Sequence, residues 1–301
     1  MGSPWGISCD DSDVPGPVLT RRSTLRWVSG AALAVVFVLA SVTPGAAFAS
    51  TSDRDSASTI TGQRAPDLGG GSVVRHGLWN SNSLDWAGYA ATGPAITSVA
   101  GSWTQPAATC PGNKVEQSAF WVGIDGFTTD SPTVEQIGTD ADCTKGTHKN
   151  PGGPIYYAWF EMYPLPIVVL DPVLYPVTPG NVLTASVTVT GAGYVLAIAD
   201  AGRWTFSTTQ VPTRATLNSS AEWITEAPLN CKNGKCKPIA LANFSVAAFT
   251  GATVNSMAVN GPGLTVNQIT MTKNKKGTIV KASTSALDPT GHGFTVHWLA
   301  I

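Results

Sequence analysis

Charged residues are scarce in this sequence, at 12% of its 301 residues. The formal net charge is −1 at pH 7, which leaves no basic patch for nucleic acid or for an anionic membrane surface. Few carboxylates are present whose protonation would weaken the fold in acid. The composition therefore predicts an acid-tolerant protein with no nucleic-acid partner.

Several catalytic motifs are also missing. The chain has no G-x-S-x-G nucleophile elbow, no glycine-rich phosphate loop, no H-E-x-x-H motif and no EF-hand pattern. Its four histidines are scattered, and its cysteines lack C-x-x-C spacing, so we expect no metal ion and no cofactor. Carboxylate and amide side chains remain as the candidates for chemistry.

The N-terminus has the pattern of an export signal. Arg21, Arg22 and Arg26 precede the apolar run Trp27–Val42, and the small-residue pattern Ala47–Ala49 follows it. This order of a basic, an apolar and a small-residue region predicts a signal peptide that is removed after the first 49 residues. We therefore expect a secreted protein, exported by the general secretory or the twin-arginine route, without a membrane anchor.

The segment 50–77 is rich in Ser, Thr, Asp and Gly and has almost no large apolar residue. Such a composition buries too little surface to offset the entropy lost on ordering, so we expect a disordered linker or a prosegment. The sequence leaves the choice between these two open. The folded domain is predicted to span residues 78–301.

Four cysteines remain after removal of the signal peptide, which carries Cys9. Cys231 and Cys236 flank a central Asn-Gly pair, the dipeptide typical of a tight β-hairpin turn. We therefore predict a disulfide bond across that hairpin and a second one between Cys110 and Cys143, as export to an oxidising compartment allows.

The 31 Gly and 21 Pro residues, together with many Thr, Ser and Val, favour short strands joined by tight turns. In Val182–Thr190 apolar and hydroxyl side chains alternate, which is typical of a half-buried antiparallel strand. Further strand signals include Ile239–Phe249 and Val254–Val259. No sustained helical period follows the signal peptide. The sequence predicts one all-β domain, a two-sheet antiparallel β-sandwich or jelly roll.

Three strand-like blocks place acids and amides among large aromatic residues. They are FWVGIDG (Phe120–Gly126), VEQIG (Val134–Gly138) and IYYAWFEMYP (Ile155–Pro164). Because side chains alternate along a strand, Trp121 shares a face with Asp125, and Glu161 shares one with Tyr157, Trp159 and Tyr163. We interpret these faces as the wall of a binding cleft.

A later segment, AEWITE (Ala221–Glu226), offers Glu222 and Glu226 on one side of a strand. The residues alone leave three functions open. One is a glycoside hydrolase with Glu161 and Glu226 as paired carboxylates. Another is a hydrolase in which a carboxylate activates water and a neutral amide stabilises the oxyanion. The third is a non-catalytic, lectin-like binding module.

Taken in order and at this spacing, the four segments resemble the glutamic peptidases, or eqolisins. The resemblance covers roughly Leu84 to the C-terminus and implies a concanavalin-A-like sandwich that hydrolyses proteins or peptides in acid. It implies a catalytic dyad of Gln136 and Glu226. Glu226 would act on a water as general base and then as general acid, and Gln136 would stabilise the oxyanion. The residues implied to line the substrate groove are Trp121, Asp125, Trp159, Glu161 and Tyr163.

The sequence departs from the family pattern at two positions of the third block. Tyr157 stands where the family often has Asp, and Met162 stands where it often has an aromatic residue, so subsite preference stays open. Glu222 is the main alternative to Glu226, and Glu135 is expected to face away from Gln136. We expect a monomer, since no exposed amphipathic helix argues for assembly.

Overall fold

The structure, a computed structural model, describes residues 79–300 except 129, 150, 233–234 and 275–276. The signal peptide predicted for residues 1–49 and the linker or prosegment predicted for 50–77 lie outside the described residues. No helix occurs in the described part of the chain, which agrees with the all-β prediction.

The described residues form eighteen strands. They are β1 Trp79–Ser83, β2 Trp86–Thr92, β3 Ser98–Thr104, β4 Ala119–Ile124, β5 Val134–Cys143, β6 Pro154–Tyr163, β7 Val168–Val169, β8 Val182–Thr190, β9 Gly193–Asp200, β10 Trp204–Gln210, β11 Ser220–Glu226, β12 Leu229–Lys232, β13 Lys235–Pro238, β14 Val246–Val254, β15 Met257–Ala258, β16 Thr265–Thr272, β17 Val280–Thr284 and β18 Phe294–Trp298.

Most strands belong to one open sheet with the order β10-β9-β8-β3-β14-β18-β17-β16-β2-β11-β4-β5-β6-β7. All pairs of named strands are antiparallel except β1 with β16. The sheet folds over itself, so that β3, β8 and β9 face β4 and β5. The result is a sandwich of two layers, and we call the layer with β2, β11, β4, β5 and β6 the site layer.

The hydrophobic core lies between the two layers. In β8 the apolar side chains Leu183, Ala185 and Val187 are buried and the alternate hydroxyl residues are not, as the period-two pattern predicted. Trp223 of the site layer is buried in the same core, where its indole N–H donates to the carbonyl of Ala100 in the opposite layer (2.7 Å). Burial of alternating apolar side chains from both layers provides the main stabilisation of the sandwich.

Two predicted strands near residue 250 are placed differently in the structure. The strand predicted for Ile239–Phe249 begins only at Val246, and that predicted for Val254–Val259 keeps only Val254, the last residue of β14, and the short β15. The physical reason is backbone conformation, because Ser245, Asn255 and Ser256 have positive φ angles that interrupt a strand.

Both predicted disulfide bonds are confirmed. Cys110 is bonded to Cys143 at the end of β5, and Cys231 is bonded to Cys236 across the β12–β13 hairpin. The first bond attaches the segment before β4 to the site layer, and the second closes the hairpin.

Candidate active site

Strand register arranges the polar residues of the site layer in three rows on the face that points away from the core between the two layers. Directly opposed residues on neighbouring antiparallel strands point to the same face, so the register defines each row. From β6 to β11, the rows are Tyr157–Asp140–Ala119–Glu226, Trp159–Gly138–Trp121–Ile224, and Glu161–Gln136–Gly123–Glu222. Gln136 and Glu226 therefore lie in the two outer rows, and Trp121 lies in the row between them.

Two glycines make room for the Trp121 ring. A Cβ atom at residue 138 would lie 2.5 Å from Cβ of Trp121 and 2.3 Å from the carbonyl oxygen of Phe120. A Cβ atom at residue 123 would lie 2.9 Å from Cζ3 of Trp121. The indole ring therefore extends over Gly123, and it occupies the floor between the row of Gln136 and the row of Glu226.

The other end of the Trp121 ring holds Glu226. Its indole N–H donates to Oε2 of Glu226 over 2.8 Å, and both residues are buried. Trp86, which is opposite Glu226 in the register, packs edge-on against Trp121 with ring centroids 5.0 Å apart. The indole N–H of Trp86 has no hydrogen-bond acceptor among the described residues. Trp121, which packs against Trp86, thus fixes the position of this carboxyl group.

Gln136 is held by a residue of β6, on the side of the site layer away from Glu226. Its amide nitrogen donates to Oε2 of Glu161 on β6 over 2.7 Å. Its amide oxygen is buried and has no hydrogen-bond donor among the described residues. The amide is therefore oriented by its hydrogen bond to Glu161.

The aromatic face predicted for β6 is confirmed, and it donates hydrogen bonds to two aspartates, Asp140 and Asp142, that were not predicted. Trp159 donates its indole N–H to Oδ1 of Asp140 over 2.6 Å. The hydroxyl oxygen of Tyr157 lies 2.8 Å from Oδ2 of Asp140 and 2.8 Å from Oδ2 of Asp142. Tyr163 packs at the margin of the same aromatic cluster. The departure from the family pattern at Tyr157 thus supplies a hydroxyl to these two aspartates.

Asp125 departs from the face predicted for it, because the chain leaves β4 at Ile124 and Asp125 adopts a φ of 67°. Its carboxylate accepts the backbone N–H groups of Leu217, Asn218 and Ser219, each over 2.8 Å. A carboxylate with three backbone donors organises a loop. In the structure Asp125 therefore holds the loop at residues 217–219 and does not lie beside Trp121.

Two further carboxyl groups are buried near Asp125. The pKa of Glu135 is raised from 4.5 to about 8, chiefly by burial and also by the Asp125 carboxylate, while the Thr133 hydroxyl opposes the shift. Burial likewise raises the pKa of Glu222 well above 4.5, an effect that the Ser220 hydroxyl opposes. Glu135 faces the interior of the sandwich, opposite to Gln136, as its position along the strand predicted. Both carboxyl groups keep their protons in acid.

Trp86 and Asp140 are the site residues that the sequence did not reveal. Trp86 lies in a strand that was predicted, but only the register shows that it is opposite Glu226. Asp140 lies beyond the predicted end of its strand at Gly138, because β5 continues to Cys143. Extending the alternation by two residues would have placed Asp140 on the face of Gln136.

The described residues contain no group of three or more side chains suited to a metal ion. No described segment forms a helix with the length and apolar character needed to span a membrane.

Comparison with known proteins gives one family and a set of similar folds. The model of the Peptidase A4 family matches residues 84–296. Scytalido-glutamic peptidase, solved with a transition-state analog inhibitor, is 21% identical with a TM-score of 0.58, covering 72% of this chain and 98% of that one. SCP-B of the eqolisin family, solved with the tripeptide Ala-Ile-His, is 20% identical with a TM-score of 0.54 and the same coverage. No curated protein matches the chain.

Proposed function

The chain belongs to the Peptidase A4 family and is a peptide-bond hydrolase of the glutamic, eqolisin type, and from this premise we propose that Glu226 and Gln136 form its catalytic dyad. The observation that carries the proposal is that both side chains lie on one face of the site layer, on either side of Trp121. The family match decides against the glycosidase and the lectin-like module.

Glu226 is the general base in this proposal. Its carboxylate takes a proton from a water molecule, and the resulting hydroxide attacks the carbonyl carbon of the scissile peptide bond. The same group then returns the proton to the leaving amine, which breaks the C–N bond and yields a carboxylic acid and an amine. The hydrogen bond from Trp121 supports this role because it fixes the direction of the carboxylate.

Gln136 stabilises the tetrahedral intermediate. An amide nitrogen carries two N–H groups, and the one directed to Glu161 leaves the second for the developing oxyanion. A neutral amide keeps this donor at acidic pH, whereas a carboxylate in its place would gain or lose a proton. The pairing with Glu161 supports the role because it directs the nitrogen, and not the oxygen, of the amide.

The substrates in this proposal are proteins or peptides. SCP-B was solved with a tripeptide, and the matching fold suggests that an extended chain lies along the same face here. Trp121, Trp159, Glu161 and Tyr163 would line that groove, and Asp125 would act on it through the loop at residues 217–219. Two disulfide bonds fit an enzyme that acts as a secreted monomer once its signal peptide has been removed.

Casein digestion in acid tests the dyad. We expect the purified wild-type chain to cleave casein at about pH 3–4, also in the presence of pepstatin. Gln136→Ala and Glu226→Gln should each lose activity by roughly 10²-fold or more, since each removes a group that acts in the transition state. Glu222→Gln is the matched control for Glu226→Gln and should retain activity.

Two results would refute parts of this proposal. An inactive Glu222→Gln beside an active Glu226→Gln would assign the general base to Glu222. Full casein cleavage by Gln136→Ala would remove the amide from the mechanism.

A further inference from the structure

A cavity of about 330 Å³ lies where the start of β2 meets β16, β17 and the segment that follows β13. Its lining combines apolar and cationic groups. The residues are Leu84, Pro238, Ile239, Ala240, Thr272, Lys273 and Lys281. None of them belongs to the three rows of the candidate active site. The volume lies at the lower end of the range for small-molecule sites, and the mainly apolar lining with a few polar groups is typical of them.

Lys281 is the unusual residue of this cavity, because only 6% of its surface is exposed. Its ammonium group donates to the carbonyl oxygen of Leu84 over 3.3 Å, and this is its only hydrogen bond within the described part of the chain. An ammonium group carries three donors, so this single contact leaves two of them. No described carboxylate forms an ion pair with it within 4.0 Å.

The pKa of Lys281 is lowered from 10.5 to about 8, chiefly by burial and also by the charge of Lys273, while Asp85 opposes the shift. The group is therefore charged in acid, where a glutamic peptidase is expected to work. Burial of a charge is costly unless an opposite charge pairs with it. A bound anion would meet that need.

We propose that this cavity binds a small monocarboxylate with an apolar tail. The carboxylate accepts hydrogen bonds from the ammonium groups of Lys281 and Lys273, and the tail packs against Leu84, Ile239 and Ala240. Charge-assisted hydrogen bonds of this kind are short and strong. The apolar lining favours such a ligand over phosphate or sulfate, which have no apolar part to bury.

The activity of the chain generates ligands of this class, because each hydrolysed peptide bond leaves a new terminal carboxylate. The site is nevertheless separate from the dyad, and its existence does not depend on the roles of Gln136 and Glu226. Binding is therefore to be measured in the absence of turnover.

Isothermal titration of the full chain at about pH 5.5 tests the proposal with two matched probes, N-acetylleucine and N-acetylleucinamide. They differ only in the carboxylate, so we expect the acid to bind and the amide not to bind. Lys281→Met should weaken binding of the acid at least 10-fold, because it keeps an unbranched side chain that is only one atom shorter but removes its charge. Lys114→Met, in an exposed loop, should leave binding unchanged.

Ala240→Leu provides a second variant that leaves Lys281 in place and fills the cavity. It should also abolish binding of N-acetylleucine. Equal binding of the two probes, or unchanged binding to both cavity variants, would overturn the proposal. Casein cleavage measured on the same variants keeps the two proposals apart, since we expect Lys281→Met to retain it.

Discussion

The indole N–H of Trp121 on β4 donates to Oε2 of Glu226 on β11 over 2.8 Å, although 105 residues separate them in the chain. Register explains the contact, because Trp121 is opposite Ile224 and thus lies one row away from Glu226. The donor is a neutral indole that does not titrate, so it can donate to Glu226 at any acidic pH. It is the most direct structural support for assigning the general base to Glu226.

Trp121→Phe should lower kcat/KM by roughly 10-fold or more, because a hydrogen bond to a charged group contributes about 1.5–3 kcal/mol. The aromatic body remains, so the thermal stability of the variant should change little compared with its activity. Steady-state kinetics on a short peptide in acid measure the effect.

Trp204→Phe is the matched control for that experiment. It also removes one indole hydrogen bond, from Trp204 to the carbonyl of Pro176 (2.8 Å), but at the far edge of the other layer. Its kcat/KM should equal that of the wild type. An equal loss of activity in both variants would show that the contact between Trp121 and Glu226 has no specific role.

Glu161→Gln should reduce kcat more than it changes KM. The carboxylate accepts only, and so it directs the nitrogen of Gln136 toward itself, whereas an amide at 161 accepts or donates and removes this bias. We expect about a 10-fold loss of kcat.

A double-mutant cycle separates this positioning effect from a general loss of stability. In a Gln136→Ala background, Glu161→Gln should cost almost no further activity, because the amide that it orients is gone. If the loss of activity in the double variant, expressed as a free energy, equals the sum of the losses in the two single variants, the positioning role is contradicted.

The faces of single strands could be predicted from the sequence. Alternation alone placed Trp159 and Glu161 on one side of β6, and Glu222 and Glu226 on one side of β11, because side-chain direction is a local property with a period of two residues. The fold class followed from the same alternation and from the turn residues between strands.

The rows across strands could not be predicted from the residues. Whether Gln136 is opposite Glu161 or its neighbour depends on pairing between distant segments, and a slip of one residue would exchange the two faces. The conformation of Asp125 could not be predicted for the same reason, because its positive φ is stabilised by a loop about 90 residues farther along the chain.

Asp125→Asn should destabilise the fold by about 1.5–3 kcal/mol, since it weakens the acceptor of three backbone N–H groups. Asn tolerates a positive φ as well as Asp does, so the change isolates the carboxylate. Denaturant unfolding at about pH 5 measures the loss. Asp171→Asn is the control, because Asp171 is exposed and caps one N–H group, that of Val173 (2.8 Å). An equal effect at both positions would contradict the role of Asp125 in holding its loop.

The raised pKa of Glu135 predicts that the folded protein loses stability as the pH rises. Its pKa is about 8 in the folded chain and 4.5 when unperturbed, so between these values the folded state binds the extra proton. The stabilisation from this proton is complete below about pH 4.5 and declines by about 1.4 kcal/mol per pH unit until about pH 8. The raised pKa of Glu222 acts in the same direction.

Glu135→Gln should remove most of this dependence, because the amide has a similar shape and does not ionise. Guanidinium unfolding of the two proteins at about pH 4 and pH 8 gives four free energies of unfolding. Relative to the variant, the wild type should lose roughly 3–5 kcal/mol between the two pH values. A constant offset between the proteins reflects the buried amide itself and leaves the difference in pH dependence unchanged. Parallel pH profiles would show that the Glu135 carboxyl group titrates normally in the folded chain, and the loss of stability toward alkaline pH would then need another source.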